Sequence, residues 1–226
     1  MIEQDIMGPN IIKIKQVSNK GEYKSINGNA TLKNLVYHVQ ECKGFVSLHK
    51  YFEHSQAIPN GKYLNYASQI LNAIEDLNNH HIVHNDIRPR TLYINEETNI
   101  ICIGGWDFAC KCGSDTTSFN TLRMKYVNEL FGITKSFLPS EFLIKDMKST
   151  PDKSDIFSVG VVLYYMMNSK IPFVNATDPT YEKYLEETQP ENSIPSLIKD
   201  MLKKDPFSRK SAATIKKDYC EMFTKF

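Results

Sequence analysis

The sequence has little net charge, no long apolar run and no internal repeat. Its 27 Lys and Arg residues nearly balance its 26 Asp and Glu residues, so the chain has no field strong enough to attract nucleic acid or an anionic membrane. The longest apolar run, Ile156–Met167, is too short to cross a bilayer and is typical of a buried helix. We therefore expect neither a nucleic-acid partner nor a membrane partner.

Cysteine is also scarce, and the five cysteines are an odd number. No stretch of the sequence is typical of a secretory signal, so we expect reduced thiols in a cytoplasmic protein rather than a disulfide framework. Cys110 and Cys112 are separated by a single residue, which is the wrong spacing for a zinc site, and no second pair follows them. The cysteines therefore predict neither disulfides nor a bound metal.

The rest of the composition is ordinary for a globular protein. Hydrophobic residues make up 41% and charged residues 23% of the 226 residues, enough for a sizeable core in one large or two small domains. Apolar residues recur at helical spacing in Lys62–Asn79, which predicts an amphipathic helix. Alternation in Ile11–Val17 and Leu35–Gln40 predicts strands, and Ser47–Phe52 predicts a short helix.

The stretch Ile82–Ala109 organises the chain. Its polar loop, His84–Thr91, precedes two short apolar runs, Leu92–Ile94 and Ile100–Ile103, which flank a polar turn and so predict a β-hairpin. The second run leads directly into Gly105–Asp107. We therefore expect the functional residues in this loop and at the exit of the hairpin.

The loop His84–Thr91 resembles the H-R-D-L-K-P-x-N catalytic loop of the eukaryotic protein kinases, and Gly105–Asp107 stands where that family has its D-F-G motif. Four further segments resemble the family's H-P-N-I-I, A-P-E, helix αF and L-x-x-D-P-x-x-R motifs, at Pro9–Ile12, Phe137–Leu143, Ser154–Phe173 and Leu202–Ile215. These matches follow the family's order and cover nearly the whole chain from Pro9 onward. The chain therefore resembles a eukaryotic protein kinase.

The resemblance implies an α+β fold that is mainly α-helical, namely a protein-kinase-like C-lobe with a short β remnant of the N-lobe. Residues 1–45 are expected to form that remnant, with two strands and the hinge, and residues 46–226 the helical C-lobe. No G-x-G-x-x-G sequence occurs, and no strand supplies the family's nucleotide-binding Lys. The resemblance therefore predicts an N-terminally truncated member.

Several positions that carry the family's chemistry are substituted. Gly105 replaces the metal-binding Asp, Thr91 replaces the metal-binding Asn, and Arg88 replaces a Lys. Asp86, the family's base, is retained, and we expect it to be vestigial without nucleotide or metal beside it. Together with the missing Gly-rich loop and nucleotide-binding Lys, these substitutions predict a degenerate pseudokinase that is not an enzyme, with no catalytic residue, no cofactor-binding residue and no metal. In an alternative frame, Asp107 becomes the metal ligand.

By the same resemblance, four retained residues have structural roles. His84 is expected to pack behind the loop and Asp155 to hold the loop's backbone, while Glu141 and Arg209 are expected to form a partly buried ion pair. Asn85 stands where the family has an Arg, and it lacks the charge that would receive a phosphate on the activation segment. These residues predict a stable lobe without a phosphate switch.

The expected function is a protein-binding or architectural subunit of a larger assembly, in a stable complex with one or more protein partners. Trp106 and Phe108 are the candidate interface, because the cleft face of a C-lobe without its N-lobe would be exposed and apolar. Two alternatives are left open. The chain could regulate or inhibit an active kinase by C-lobe mimicry, or it could be a residual Ser/Thr kinase with an N-lobe supplied in trans.

Overall fold

The computed structural model describes residues 9–12, 14–24, 31–40, 43–54, 58–59, 61–113, 132–142, 152–187 and 190–224. Its helices are α1 (Leu48–His54), α2 (Lys62–Asn79), α3 (Ser154–Asn168), α4 (Pro179–Glu186), α5 (Ile194–Met201), α6 (Ala212–Asp218) and α7 (Cys220–Thr224). Its strands are β1 (Ile14–Lys24), β2 (Thr31–Gln40), β3 (Val46–Ser47), β4 (Ile82–Val83), β5 (Leu92–Asn95), β6 (Ile100–Ile103) and β7 (Cys110–Lys111). Short 3-10 helices lie at Trp106–Phe108, Gly132–Phe137, Ser140–Phe142 and Pro206–Ser208. The predicted fold class, α+β and mainly α-helical, is confirmed.

The described helices test one part of the predicted cellular location, namely whether a helix could cross a membrane. None of them combines the length and the apolar character needed to cross a membrane. The expectation of a cytoplasmic protein stays a prediction.

Helix α2 forms because its apolar residues recur every three or four positions and so share one face. That face is buried, and the helix packs against α3, α6 and β6. Burial of each large apolar side chain there contributes about 1.5–3 kcal/mol. The helix begins and ends at the predicted residues, Lys62 and Asn79, and it lies against β6, the second strand of the hairpin.

Helix α3 packs against α2 and α5 and is buried nearly all round, as its apolar run predicted. Gly160 allows α5 to approach closely, because a Cβ at this position would lie 2.9 Å from the Cβ of Met201 and 3.0 Å from Cδ2 of Leu202. The first turn of α3 carries Asp155, which is buried. A helix fixed on all sides therefore holds an acidic side chain in a defined place.

The predicted hairpin consists of β5 and β6, which pair antiparallel over their whole length. β3 pairs with the other side of β5, and Ile11 forms a parallel bridge to Ile103 on the far side of β6. Two backbone bonds of 2.8 Å secure this bridge, from Ile12 N to Ile103 O and from Ile103 N to Asn10 O. The strand predicted at Ile11–Val17 is thus divided, because Ile11 and Ile12 join the hairpin rather than β1.

Strands β1 and β2 pair as an antiparallel ribbon, from Ile14 opposite Gln40 to Lys24 opposite Thr31. Both strands extend further toward their connection than alternation predicted. Pairing across the ribbon satisfies the backbone of polar residues that show no apolar pattern, so alternation underestimates the length. The division into an N-lobe remnant at residues 1–45 and a helical lobe at residues 46–226 stays a prediction.

Candidate active site

The polar loop His84–Thr91 begins where β4 ends, and α3 holds its first turn. Asp155 accepts hydrogen bonds from the backbone nitrogens of His84 and Asn85, at 2.6 and 2.7 Å. Asp155 is buried, and the two charge-assisted bonds compensate the loss of its hydration. Asn85 lies in the left-handed region, at φ 65°. These two bonds therefore anchor the loop to α3, a helix that lies far from it in the sequence.

His84 links the loop to the end of the hairpin. Its side chain is completely buried and lies edge-on to Trp106, with the ring centroids 4.9 Å apart. Nδ1 accepts a bond from the backbone N–H of Asp86 at 3.2 Å, so Nε2 carries the proton and donates to the carbonyl of Gly104 at 3.1 Å. The structure places His84 behind the loop, and this residue ties Asp86 to the exit of β6.

Asp86 lies in the middle of the loop with 6% of its surface exposed. Arg88 donates from Nε to Oδ1 of Asp86 at 2.9 Å, and the Arg88 side chain is itself only 17% exposed. A charge-assisted bond between two partly desolvated groups fixes the orientation of the carboxylate more firmly than a surface ion pair would. Such a carboxylate can accept a proton from a hydroxyl group that binds next to it.

Thr91 and Gly105, the two substituted metal positions, lie against each other. Gly105 has φ 77°, and a Cβ there would lie 2.6 Å from Cγ2 of Thr91. The Thr91 hydroxyl donates to the carbonyl oxygen of Asp86 at 2.5 Å and accepts from the backbone N–H of Arg88 at 3.2 Å. Magnesium prefers carboxylate and water oxygens in an octahedral arrangement, and neither side chain offers a carboxylate. The residues at these two positions do not fit a magnesium ion.

Asp107, the alternative metal ligand, lies exposed on the 3-10 helix Trp106–Phe108. Within the part of the chain that the structure describes, no group of three or more His, Cys, Asp or Glu side chains could hold a metal. Asp107 alone would supply a single carboxylate. The frame in which it binds metal stays a prediction.

Trp106 does not lie on an exposed face, so the exposure expected of it was wrong, while its role in an interface stays a prediction. Only 7% of its surface is exposed, and its Nε1 donates to the carbonyl of Ile12 at 3.0 Å. The indole N–H thus bonds to the segment Asn10–Ile12, which pairs with β6. Phe108 is half-buried, and its role in an interface stays a prediction.

Asn85 uses its side chain inside the protein. Nδ2 donates to the carbonyl of Phe108 at 3.0 Å and to Sγ of Cys110 at 3.2 Å. These partners lie 23 and 25 residues along the chain, so no local sequence pattern indicated them. The residue therefore joins the loop to the segment that follows the hairpin, which sequence reasoning missed.

Glu141 and Arg209 are brought together in a buried ion pair. Nη1 and Nη2 of Arg209 donate to the two carboxylate oxygens of Glu141, the bond from Nη2 measuring 2.6 Å. The Ser154 hydroxyl donates to the same carboxylate at 3.2 Å, and Nε of Arg209 donates to the carbonyl of Lys203 at 2.6 Å. This two-bond geometry joins the 3-10 helix Ser140–Phe142 to the segment before α6, and it stabilises the lobe that carries the loop.

Comparison with known proteins gives a match to the family model of the protein kinase domain over residues 1–220. The putative serine/threonine-protein kinase R436 of Acanthamoeba polyphaga mimivirus is 26% identical over 222 residues, which cover 92% of this chain and 72% of that protein. The serine/threonine-protein kinase PKH1 of Saccharomyces cerevisiae is 29% identical over 161 residues, 67% of this chain and 21% of PKH1. The serine/threonine-protein kinase PrkC of Bacillus subtilis is 24% identical over 215 residues, 91% of this chain and 30% of PrkC. The chain therefore spans less than a third of PKH1 and PrkC.

These comparisons correct the prediction that the chain is not an enzyme. The match over residues 1–220 and the relatives named as serine/threonine kinases point to a kinase. The prediction was wrong because it gave the missing Gly-rich loop and nucleotide-binding Lys, and the substitutions at Gly105 and Thr91, more weight than the similarity of the whole chain. The comparisons do not show that the chain is truncated or degenerate. With a match that covers nearly its whole length, the chain belongs to the protein kinase family.

Proposed function

We propose that the chain acts as a protein kinase that transfers a phosphoryl group from a nucleoside triphosphate to a Ser or Thr hydroxyl. The observation that carries the proposal is the carboxylate of Asp86, held 2.9 Å from Nε of Arg88 in a buried loop. The hydroxyl oxygen bonds to the terminal phosphorus, the bond from that phosphorus to the bridging oxygen breaks, and Asp86 takes the hydroxyl proton. The names of the relatives support this choice of reaction.

The surrounding residues hold Asp86 in position rather than take part in the reaction themselves. Asp155 holds the backbone at the start of the loop, and Nδ1 of His84 accepts a hydrogen bond from the backbone N–H of Asp86. Arg88 orients the carboxylate of Asp86. Because Thr91 and Gly105 do not fit magnesium, no step of the proposal depends on a metal at those positions. The proposal includes a partner chain that supplies the lobe covering the nucleotide, because no G-x-G-x-x-G occurs in the sequence.

The test is phosphorylation of Ser- and Thr-containing peptides by the purified protein, alone and with its cellular partners. Asp86→Asn keeps the size and the hydrogen bonding of the side chain but removes the proton acceptor. Loss of a general base costs about 10²–10⁴-fold in rate, so we expect phosphate incorporation to fall by at least about 100-fold.

The matched control is Asp178→Asn, at the N-cap of α4, where Asn caps a helix as well as Asp does. This variant should retain the parent rate, because the side chain lies outside the loop. Equal rates for Asp86→Asn and the parent, or no transfer by the parent with any partner, would overturn the proposal.

A second candidate is a binding role, either as a subunit of a larger assembly or as a regulator of another kinase. Phe207 favours it, because 82% of this aromatic residue is exposed on the 3-10 helix Pro206–Ser208. Aromatic side chains are enriched in protein interfaces. If this role is correct, the tagged chain should elute from a cell extract in a large complex that Phe207→Ser makes smaller. Unchanged elution of the variant would contradict it.

A further inference from the structure

Thr91 is held on every side by the loop and by the exit of the hairpin. It is buried, its backbone N–H donates to the carbonyl of Arg88, and its carbonyl accepts from the N–H of Gly104, both at 2.9 Å. The side chain therefore has a fixed position between the loop and Gly105. Its two ends, the hydroxyl and the methyl group, face different partners.

The hydroxyl closes the loop that carries Asp86. It donates to the backbone carbonyl of Asp86 at 2.5 Å and accepts from the backbone N–H of Arg88 at 3.2 Å. The two residues that it holds are the carboxylate bearer and the cation that orients the carboxylate. A single hydroxyl thus bonds to backbone groups on both sides of the Asp86–Arg88 contact.

The methyl group occupies the space that a side chain at position 105 would need. A Cβ on Gly105 would lie 2.6 Å from Cγ2 and 3.2 Å from Cβ of Thr91. Real Cβ atoms essentially never approach another heavy atom to within 3.0 Å, so Thr91 and a residue larger than glycine exclude each other. The two substitutions are therefore linked by packing.

We propose that Thr91 is a positioning residue for Asp86 and that Gly105 is its steric counterpart. Together they replace metal coordination by hydrogen bonding and packing, so the geometry of the loop does not depend on a divalent cation. The inference goes beyond the proposed phosphoryl transfer, because it concerns how the loop is held and can be tested without any reaction.

The first test compares Thr91→Val with Thr91→Ser by amide hydrogen exchange in NMR. Valine keeps the methyl group and loses the hydroxyl, whereas serine keeps the hydroxyl. We expect exchange at the Arg88 amide to rise about fivefold in Thr91→Val, relative to amides in α3, and to stay at the parent rate in Thr91→Ser. Equal protection in the two variants would overturn the role of the hydroxyl.

The second test is a double-mutant cycle in thermal unfolding. Gly105→Ala strains the backbone equally in the parent and in Thr91→Ser, because φ is positive in both, so only the contact with Cγ2 differs. We expect Gly105→Ala to lower Tm by about 3 °C more in the parent than in Thr91→Ser. Equal losses would overturn the steric pairing, and if neither variant folds, the exchange experiment decides.

The third test uses Mg²⁺ alone. Exchange at the Arg88 amide and Tm of the parent should not change when Mg²⁺ is added, because hydrogen bonding already holds the loop. Slower exchange at the Arg88 amide together with a higher Tm on adding Mg²⁺, both abolished in Thr91→Val, would show that a metal holds the loop and would overturn the proposal.

Discussion

The change Arg209→Ala is expected to destabilise the helical part of the protein severely. The guanidinium group is fully buried and bonds to both carboxylate oxygens of Glu141. It also donates to the carbonyls of Lys203 and Lys204, at 2.6 and 3.1 Å, and its Cζ lies 5.2 Å from the ring centroid of Phe157. The substitution removes all of these contacts and leaves the Glu141 carboxylate buried without its cation.

The expected magnitude follows from the stranded charge. Breaking a buried ion pair by removing one partner costs about 3–5 kcal/mol. In a protein of this size, 1 kcal/mol corresponds to a Tm change of about 2–4 °C, so Tm should fall by about 6–20 °C. Differential scanning calorimetry of the parent and of Arg209→Ala measures this directly. The Ser154 hydroxyl, 3.2 Å from Glu141, is neutral and cannot replace the lost charge.

Lys204→Ala is the control, because it removes an exposed ion pair with Glu182, at 2.8 Å. Exposed pairs contribute little, so this variant should melt within about 2 °C of the parent. The double change Glu141→Gln with Arg209→Met should lower Tm less than Arg209→Ala does, since it leaves no charge buried. If Arg209→Ala melts as close to the parent as Lys204→Ala does, the reasoning is refuted.

Two further predictions concern packing and pH. Gly160→Ala places a methyl group 2.9 Å from the Cβ of Met201, so the free energy of unfolding in urea should fall by about 1–3 kcal/mol. An unchanged midpoint of urea unfolding would show that α3 and α5 can separate to accept the methyl group. Burial raises the pKa of Tyr184 from 10.0 to about 12, so the stability that its protonated form contributes is complete below pH 10 and is lost as the pH rises toward 12. Across this window the free energy of unfolding should fall less steeply in Tyr184→Phe than in the parent, and equal slopes would contradict the assignment.

Elements with a local signal could be predicted from the sequence. Helix α2 has a continuous apolar face, and its ends coincide with the predicted residues. The hairpin was marked by two apolar runs around a polar turn. By contrast, Trp106 is buried and bonds to Ile12, 94 residues earlier, and no local pattern indicates such a contact.

The candidate site was predictable in its residues and not in its packing. The motif identified Asp86 and the residues around it, because their order and spacing resemble those of the kinase loop. The substitutions at Thr91 and Gly105 showed only that two ligands were missing. That the methyl group of one fills the space beside the other depends on the left-handed backbone at Gly105, which the sequence does not reveal.

The bridge between Ile11 and Ile103 has a consequence for association between copies of the chain. The outer edge of a hairpin offers unpaired N–H and C=O groups to any extended segment. Here the segment Asn10–Ile12 forms hydrogen bonds with both the N–H and the C=O of Ile103, while β3 pairs with the opposite edge of the hairpin. A protein cleaved by a protease after Ile12 would therefore keep its helices but present an apolar strand edge, and it should aggregate by strand pairing before it unfolds.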